Sequence, residues 1–193
     1  MKPEIKVTTP SGYIMSDCVS EEFIRRRIYI TDIITDTLAA EVCCQINQLA
    51  SMDNDDITLW IQSPGGSVTA GLAIIDAMAV CGCDIRTIVM GGAASMGAIL
   101  ASSGTKGKRY IGANAEMMIH QAHGGVSGQT TDILRTANHI QRINHRIYTI
   151  LARNTGKSID RISIDCDRDY FLDAEESIKY GLADYIFTGF ADL

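Results

Sequence analysis

Residues 85–102 read Ile-Arg-Thr-Ile-Val-Met-Gly-Gly-Ala-Ala-Ser-Met-Gly-Ala-Ile-Leu-Ala-Ser. Ile85 to Met90 is an apolar strand that runs into Gly91-Gly92. Small residues follow, and Ser95 opens a short apolar helix, Met96 to Ser102. A strand that turns into a helix over so few positions is half of a βαβ unit. The same grammar repeats outward. Upstream, Ile57 to Ile61 is a strand ending in Ser63-Pro64-Gly65-Gly66, and the next helix carries Leu72, Ile75 and Ala79 on one face. Further back, Ile28-Tyr29-Ile30 is a strand. Asp36 is placed to cap a helix to about Ala50, with Leu38, Val42, Ile46 and Leu49 as its apolar face.

Downstream, Lys108 to Ile111 and Met117 to His120 read as strands, and Gly124, Gly125 and Gly128 mark a turn. Thr131 to Asn154 is a long helix with Ile133, Ala137, Ile140, Ile147 and Leu151 as its stripe, stopped at Gly156. It is too long to lie wholly on one sheet, so it is expected to protrude and meet another subunit. Ser158 caps a short helix to Cys166. Tyr170 to Leu172 is extended, Asp173 with Glu176 makes a capping-box start, and Tyr185 to Phe187 is a last strand. Strands alternating with helices predict an α/β fold of repeated βαβ units. Residues 1 to about 20 hold Pro3, Pro10 and Gly12 with little period, and are expected to be a mobile N-terminal segment ahead of one domain over 21–193.

The 193 residues suit one domain with a full core. The net charge of -6 argues against nucleic acid as a partner. The basic runs Arg25-Arg26-Arg27 and Lys106 to Arg109 are short and are expected to be solvated. Six cysteines occur without a CxxC pair and with no His-x3-5-His partner after them, so no zinc or other metal site is expected and reduced thiols are. The start lacks an apolar signal region, and no run of about 18 apolar residues is present. The expectation is a soluble cytoplasmic protein with no membrane partner.

Four groups of residues carry possible chemistry. Ser95 sits at a helix N-terminus, where free N–H groups suit a developing oxyanion. An ordinary N-cap serine would look the same. Gly65 and Gly66 can turn backbone N–H groups toward a carbonyl, or simply make a turn. His120 ends an apolar strand and is a candidate general base, with His123 its rival. His139 and His145 lie on the long helix and suit solvent or an interface. In Asp165-Cys166-Asp167-Arg168-Asp169 one carboxylate can orient an imidazole. Asp169 is favoured because it precedes Tyr170-Phe171-Leu172 and should enter the core, whereas Asp165 and Asp167 should face solvent. No Walker-type loop is present, so the chain is not expected to hydrolyse ATP.

From about Ile57 onward these runs, in order, resemble the ClpP family, the proteolytic subunits of ATP-dependent Clp proteases. They are Ser63-Pro64-Gly65-Gly66, Thr69-Ala70-Gly71-Leu72, Ala93-Ala94-Ser95-Met96-Gly97-Ala98, Lys106-Gly107-Lys108-Arg109, Met118-Ile119-His120-Gln121, Arg168-Asp169-Tyr170-Phe171-Leu172 and Tyr180-Gly181-Leu182-Ala183-Asp184. The resemblance implies Ser95 as nucleophile, His120 as base, Asp169 as orienting acid, and the N–H groups of Gly66 and Met96 as oxyanion hole. It implies a crotonase-like α/β spiral whose handle, about 122–154, joins two stacked seven-membered rings. It implies an N-terminal axial segment and no cofactor of its own. ATP would be used by a partner AAA+ unfoldase such as ClpX, ClpA or ClpC, docking near Trp60, Val80 and Phe187, the tryptophan otherwise being exposed. A second ClpP paralogue in a mixed ring is a further implied partner. Unfolded polypeptide would be the substrate.

The chain departs from the family pattern at Gly92, at Ala122-His123 and over Ile30 to Asp36. The last difference is expected to bear on the axial loops and unfoldase choice and to leave the triad undisturbed. Alternatives to an active peptidase are a non-catalytic or conditionally active paralogue in a mixed ring, an acyl-CoA hydratase or isomerase on the same fold, and a docking scaffold.

Overall fold

The computed structural model describes residues 4–190. The first three residues of the expected N-terminal segment and the last three of the expected domain lie outside them. The element order is β1 (Glu4–Thr9), β2 (Gly12–Asp17), α1 (Cys18–Ile24), β3 (Arg27–Ile30), α2 (Asp36–Ala50), β4 (Ile57–Ser63), α3 (Val68–Val80), β5 (Ile85–Ala94), α4 (Met96–Ser102), β6 (Arg109–Gly112), β7 (Glu116–Ile119), α5 (Thr130–Thr155), α6 (Ile159–Asp165), β8 (Tyr170–Leu172), α7 (Ala174–Tyr180) and β9 (Tyr185–Phe187). The alternation expected from the sequence is present.

Parallel strands run in the order β3-β4-β5-β6-β9. β5 is longer than its apolar run, because it continues through Gly91 to Ala94. That extra length gives one of its edges two neighbours in succession. Thr87 to Val89 pair with Arg109 to Ile111, and Gly92 to Ala94 pair with Glu116 to Met118. β7 then pairs antiparallel with β8. The end of β5 therefore sits between β4 and β7, where three strand ends converge.

β1 and β2 form a hairpin closed at Thr9 and Gly12 and pair with no other described strand. Its residues are exposed or half-exposed on both faces, so no apolar alternation marked these strands. α2 buries Ala39, Val42, Ile46 and Leu49, with Leu38 at the margin. Its N-cap is Thr35, whose Oγ1 accepts from the Leu38 N–H, and Asp36 is the first helical residue. α3 differs more from expectation. It packs on both α2 and α4 and buries Ala70, Gly71, Ile74, Ile75 and Met78, while Ala79 faces solvent.

The basic runs are solvated only in part: Arg25 and Lys106 are exposed, while Arg26, Lys108 and Arg109 are drawn into joints of the fold. Arg109 is buried, with its guanidinium 2.9 Å from Asp184 Oδ2. It also donates to the carbonyls of Ser102, Asn154 and Gly181 at 3.2, 3.0 and 2.9 Å. These carbonyls lie at the ends of α4, α5 and α7, where helices leave acceptors unpaired. One cation thus gathers three helix ends. Lys108 bridges Asp56 and Asp84. Arg26 donates to the Leu49 and Asp55 carbonyls at 2.9 and 2.8 Å. A guanidinium can satisfy several carbonyls at once, so clustered arginines served interior joints here.

From Thr130 to Arg146 α5 buries no residue: its buried residues are Ile147, Tyr148 and Leu151, near its C-terminal end. Ile133 and Leu134, in its first turns, are exposed. Gly156 is left-handed and ends the helix as expected, its N–H donating to the Ala152 carbonyl. All six cysteines are free, and burial pushes the Cys166 thiol up to about 12. No helix of the described residues is long and apolar enough to cross a membrane.

Candidate active site

Ser95 stands between β5 and α4 with φ 54° and ψ −124°. A non-glycine residue there carries strain of about 1–3 kcal/mol. Neighbouring bonds hold it. Its N–H donates to the Met118 carbonyl at 2.8 Å, and its own carbonyl accepts from Ala98 and Ile99. Its side chain does not cap α4. Ser95 Oγ instead lies 2.8 Å from His120 Nε2. The N-cap alternative is therefore not what this structure shows.

The turn after β4 comes close because it lacks side chains. A Cβ on Gly65, whose φ is +95°, would lie 2.7 Å from Ser95 Cβ and 3.0 Å from the Met96 nitrogen. Gly66 is held from the other side by Ile34. The Ile34 N–H donates to the Gly65 carbonyl, and the Ser67 N–H donates to the Ile34 carbonyl, each at 2.8 Å. Met96 is the first residue of α4, so its N–H has no partner within the helix.

His120 and Asp169 meet through strand register. β7 and β8 are antiparallel with Ile119 opposite Tyr170, so the next step puts His120 opposite Asp169. His120 Nδ1 lies 3.0 Å from Asp169 Oδ1. The Gln121 N–H donates to the Cys166 carbonyl at 2.7 Å and fixes this crossing. Ser95, His120 and Asp169 thus form one hydrogen-bonded chain. With Nδ1 protonated toward the carboxylate, Nε2 has a lone pair for the Ser95 proton.

The acidic loop corrects two expectations. Asp169 does not enter the core: its side chain is 53 % exposed, against 14 % for His120. Asp165 is the buried one, at 6 %. It accepts from the Tyr180 hydroxyl at 2.7 Å and from Arg161 at 2.8 Å. Tyr180 is buried too, and burial first, then this carboxylate, push its hydroxyl well above the ordinary tyrosine range. Asp167 is exposed as expected.

Beside Ser95 lies a cleft of about 370 Å³ lined by Thr31, Asp32, Gln62, Ser63, Pro64, Gly92, Ala93, Ala94, Glu116, Met118 and Phe171. Thr31, Asp32 and Ile34 belong to the divergent Ile30 to Asp36 segment, which was expected to bear on the axial loops and to leave the triad undisturbed. It borders the site because β3 ends beside β4. A second cleft of about 640 Å³ is lined by His120 to Gly124 and Asp167 to Asp169. His123 turns its ring toward His120, with ring centroids 4.5 Å apart. His139 and His145 are exposed on α5, away from these groups.

Trp60 is not exposed as expected. It is 9 % accessible, stacked on Tyr29 at 6.0 Å and edge-on to Phe187 at 5.4 Å, with Phe190 beyond. Its indole N–H is buried without a hydrogen-bond partner. Val80 is 79 % exposed at the end of α3.

A family model described as Clp protease matches residues 11–189. The ATP-dependent Clp protease proteolytic subunit of Streptococcus pyogenes serotype M5 (strain Manfredo) is 46% identical over 189 residues, covering 96% of each chain. The proteins of the same name from serotype M49 (strain NZ131) and serotype M1 give the same identity and coverage.

Proposed function

The chain belongs to the Clp protease family, whose members are serine endopeptidases on a crotonase-like α/β fold, and we propose that Ser95, His120 and Asp169 carry its peptide hydrolysis. The observation behind this is the hydrogen-bonded chain from Ser95 Oγ through His120 to Asp169, at 2.8 and 3.0 Å, on a serine held at positive φ. Strain at one half-buried turn, resisted by bonds on both sides, is what a fixed nucleophile requires.

The chemistry proceeds in two halves. Ser95 Oγ attacks the peptide carbonyl carbon while His120 Nε2 takes the hydroxyl proton. The carbonyl oxygen becomes an oxyanion, which the N–H groups of Gly66 and Met96 receive. Asp169 faces the resulting imidazolium. His120 gives its proton to the leaving nitrogen, the C–N bond breaks, and an acyl ester remains on Ser95. Water then attacks that ester, His120 takes the water proton, and the acid product leaves with Ser95 protonated again. The cleft along Gly92 to Ala94 has room for a substrate side chain, with Met118, Phe171 and Pro64 as its apolar walls.

The family's subunits work with a Clp ATPase that supplies unfolded chains, and the same assembly is proposed here. Two stacked seven-membered rings joined through α5 would cover the exposed Ile133 and Leu134. The unfoldase, of the ClpX, ClpA or ClpC kind, would dock where Val80 and Phe187 lie, with the buried Trp60 beneath Phe187. A mixed ring with a second paralogue has the same handle requirement. An acyl-CoA hydratase is not favoured, since the relatives named above are proteolytic subunits. The test is Ser95→Ala against a short fluorogenic peptide. Turnover should fall by about 10⁴ or more, and wild-type turnover would sink the assignment.

A further inference from the structure

His123 has no part in the hydrolytic steps, yet its ring packs on that of His120 at 4.5 Å between centroids and 40° between planes. One donor atom each from His120, His123 and Asp169 all lie within 4.8 Å of one another. We propose that these three side chains form a binding site for a divalent transition ion, with zinc the best fit, and that its occupancy switches the peptidase off. This rests on the triad reading given above, since His120 and Asp169 serve both purposes.

The donor set selects the kind of ion. Two imidazoles and one carboxylate suit zinc and its neighbours, whereas magnesium and calcium take oxygen ligands. Zinc holds nitrogen and oxygen at about 2.0–2.2 Å, which puts neighbouring donors roughly 3.5 Å apart. His120 and Asp169 are already at 3.0 Å. His123 must close the remaining distance of roughly 1 Å. It is free to do so, because it is exposed and residues 120–129 belong to no helix or strand. The cleft of about 640 Å³ bounded by these residues is the entry path. Three protein ligands leave a fourth position for water.

The switch follows from the single lone pair of a neutral imidazole. If the ion takes Nδ1, the ring proton resides on Nε2. Nε2 then donates to Ser95 Oγ and cannot accept its proton. If the ion takes Nε2, the base is occupied outright. In both cases the ion also claims Asp169, so the metal-bound state has no general base. No bond is made to substrate and no electron moves. Removal of the ion restores the Nδ1–H to Asp169 contact and the free Nε2.

The experiment uses the assembled full-length protein, zinc chloride as probe, and a fluorophosphonate whose labelling of Ser95 reports the active triad. Metal-free protein should be labelled, zinc should suppress labelling in proportion to calorimetric occupancy, and EDTA should restore it. His123→Ala should raise the zinc dissociation constant by about tenfold or more, and should raise the half-suppressing concentration, taken against its own metal-free rate, by the same factor. Cys44→Ser, which removes an exposed thiol, should shift neither. Equal zinc sensitivity of wild type and His123→Ala would overturn the proposal, as would its loss in Cys44→Ser or the absence of zinc binding. Failure of metal-free labelling would instead strike the triad reading, and so the two failures are distinguishable.

Discussion

Asp169→Ala removes one charge from the hydrogen-bonded chain, and the structure sets the size of the effect. The carboxylate oxygen is 3.0 Å from His120 Nδ1. A unit charge at that distance stabilises an imidazolium by about 1.4 kcal/mol in bulk water and about 5.5 kcal/mol at an effective permittivity of 20. Asp169 is 53 % exposed, while His120 is 14 % exposed. Water reaches one partner freely, so the interaction belongs nearer the lower limit, at roughly 2 kcal/mol. That converts to a loss in kcat/KM of about 30-fold, well short of the roughly 10⁴ lost when the acid of a well-studied triad is removed. Asp169→Asn should lose more. Its amide nitrogen can donate to Nδ1 only when the ring proton sits on Nε2, and this tautomer cannot accept the Ser95 proton. The assay is hydrolysis of a fluorogenic peptide, with particle mass confirming that each variant is assembled. An Asp169→Ala enzyme keeping more than half of wild-type kcat/KM would remove Asp169 from the mechanism. A loss above about 10⁴ would refute the screening step, since it corresponds to about 5.5 kcal/mol, the value at an effective permittivity of 20 without bulk-water screening.

Gly66→Ala should lower kcat by about 10²–10³ with little change in KM, because the added Cβ meets the Ile34 backbone, including its nitrogen at 2.8 Å, at φ +149°. Steady-state kinetics check this, and a normal kcat would exclude the Gly66 N–H as an oxyanion donor. Asp184→Asn should cost about 3–5 kcal/mol near neutral pH, since it strands the buried Arg109 charge. Burial pushes the Asp184 carboxyl up, but Arg109 outweighs it and the net shift is downward. A carboxylate with a lowered folded pKa stabilises above its unfolded value of about 3.9 and loses that stability as pH falls below it. Urea unfolding should therefore show the gap between wild type and Asp184→Asn closing below about pH 4, and a gap unchanged at pH 3 would contradict the pairing.

Strand and helix order was legible because buried elements leave a period in the sequence. The hairpin of β1 and β2 left none, since neither face is buried. α3 misled for the opposite reason. A helix packed on two neighbours buries a wide arc, and any single stripe drawn on it is arbitrary. The arginine runs misled because residue type reports charge and not the carbonyls around it. Arg109 looks like Lys106 on the page, yet it closes three helix ends. In the acidic loop, proximity to an apolar run pointed to Asp169 as the carboxylate that enters the core. Yet the buried one is Asp165, which is inside because Tyr180 and Arg161 give it partners there.

Ser95 shows where such inference stops and why. An N-cap serine and a nucleophile at a strand-to-helix turn share residue type, small neighbours and position. They differ in the sign of φ. A cap sits in the extended region and turns its oxygen back onto the helix N–H groups, as Ser67 does for α3 with φ −60°. Ser95 at φ 54° turns its oxygen away from α4 and toward His120. Nothing in an L-residue's identity announces a positive φ, so the two serines, each directly before a helix that follows a β-strand, read alike. What separates them is long-range. Met118 holds the Ser95 nitrogen, Gly65 leaves space for its Cβ, and the β7–β8 register sets His120 and Asp169 beyond it. The nucleophile is thus a property of three strand ends meeting, and the local run of small residues only permits it.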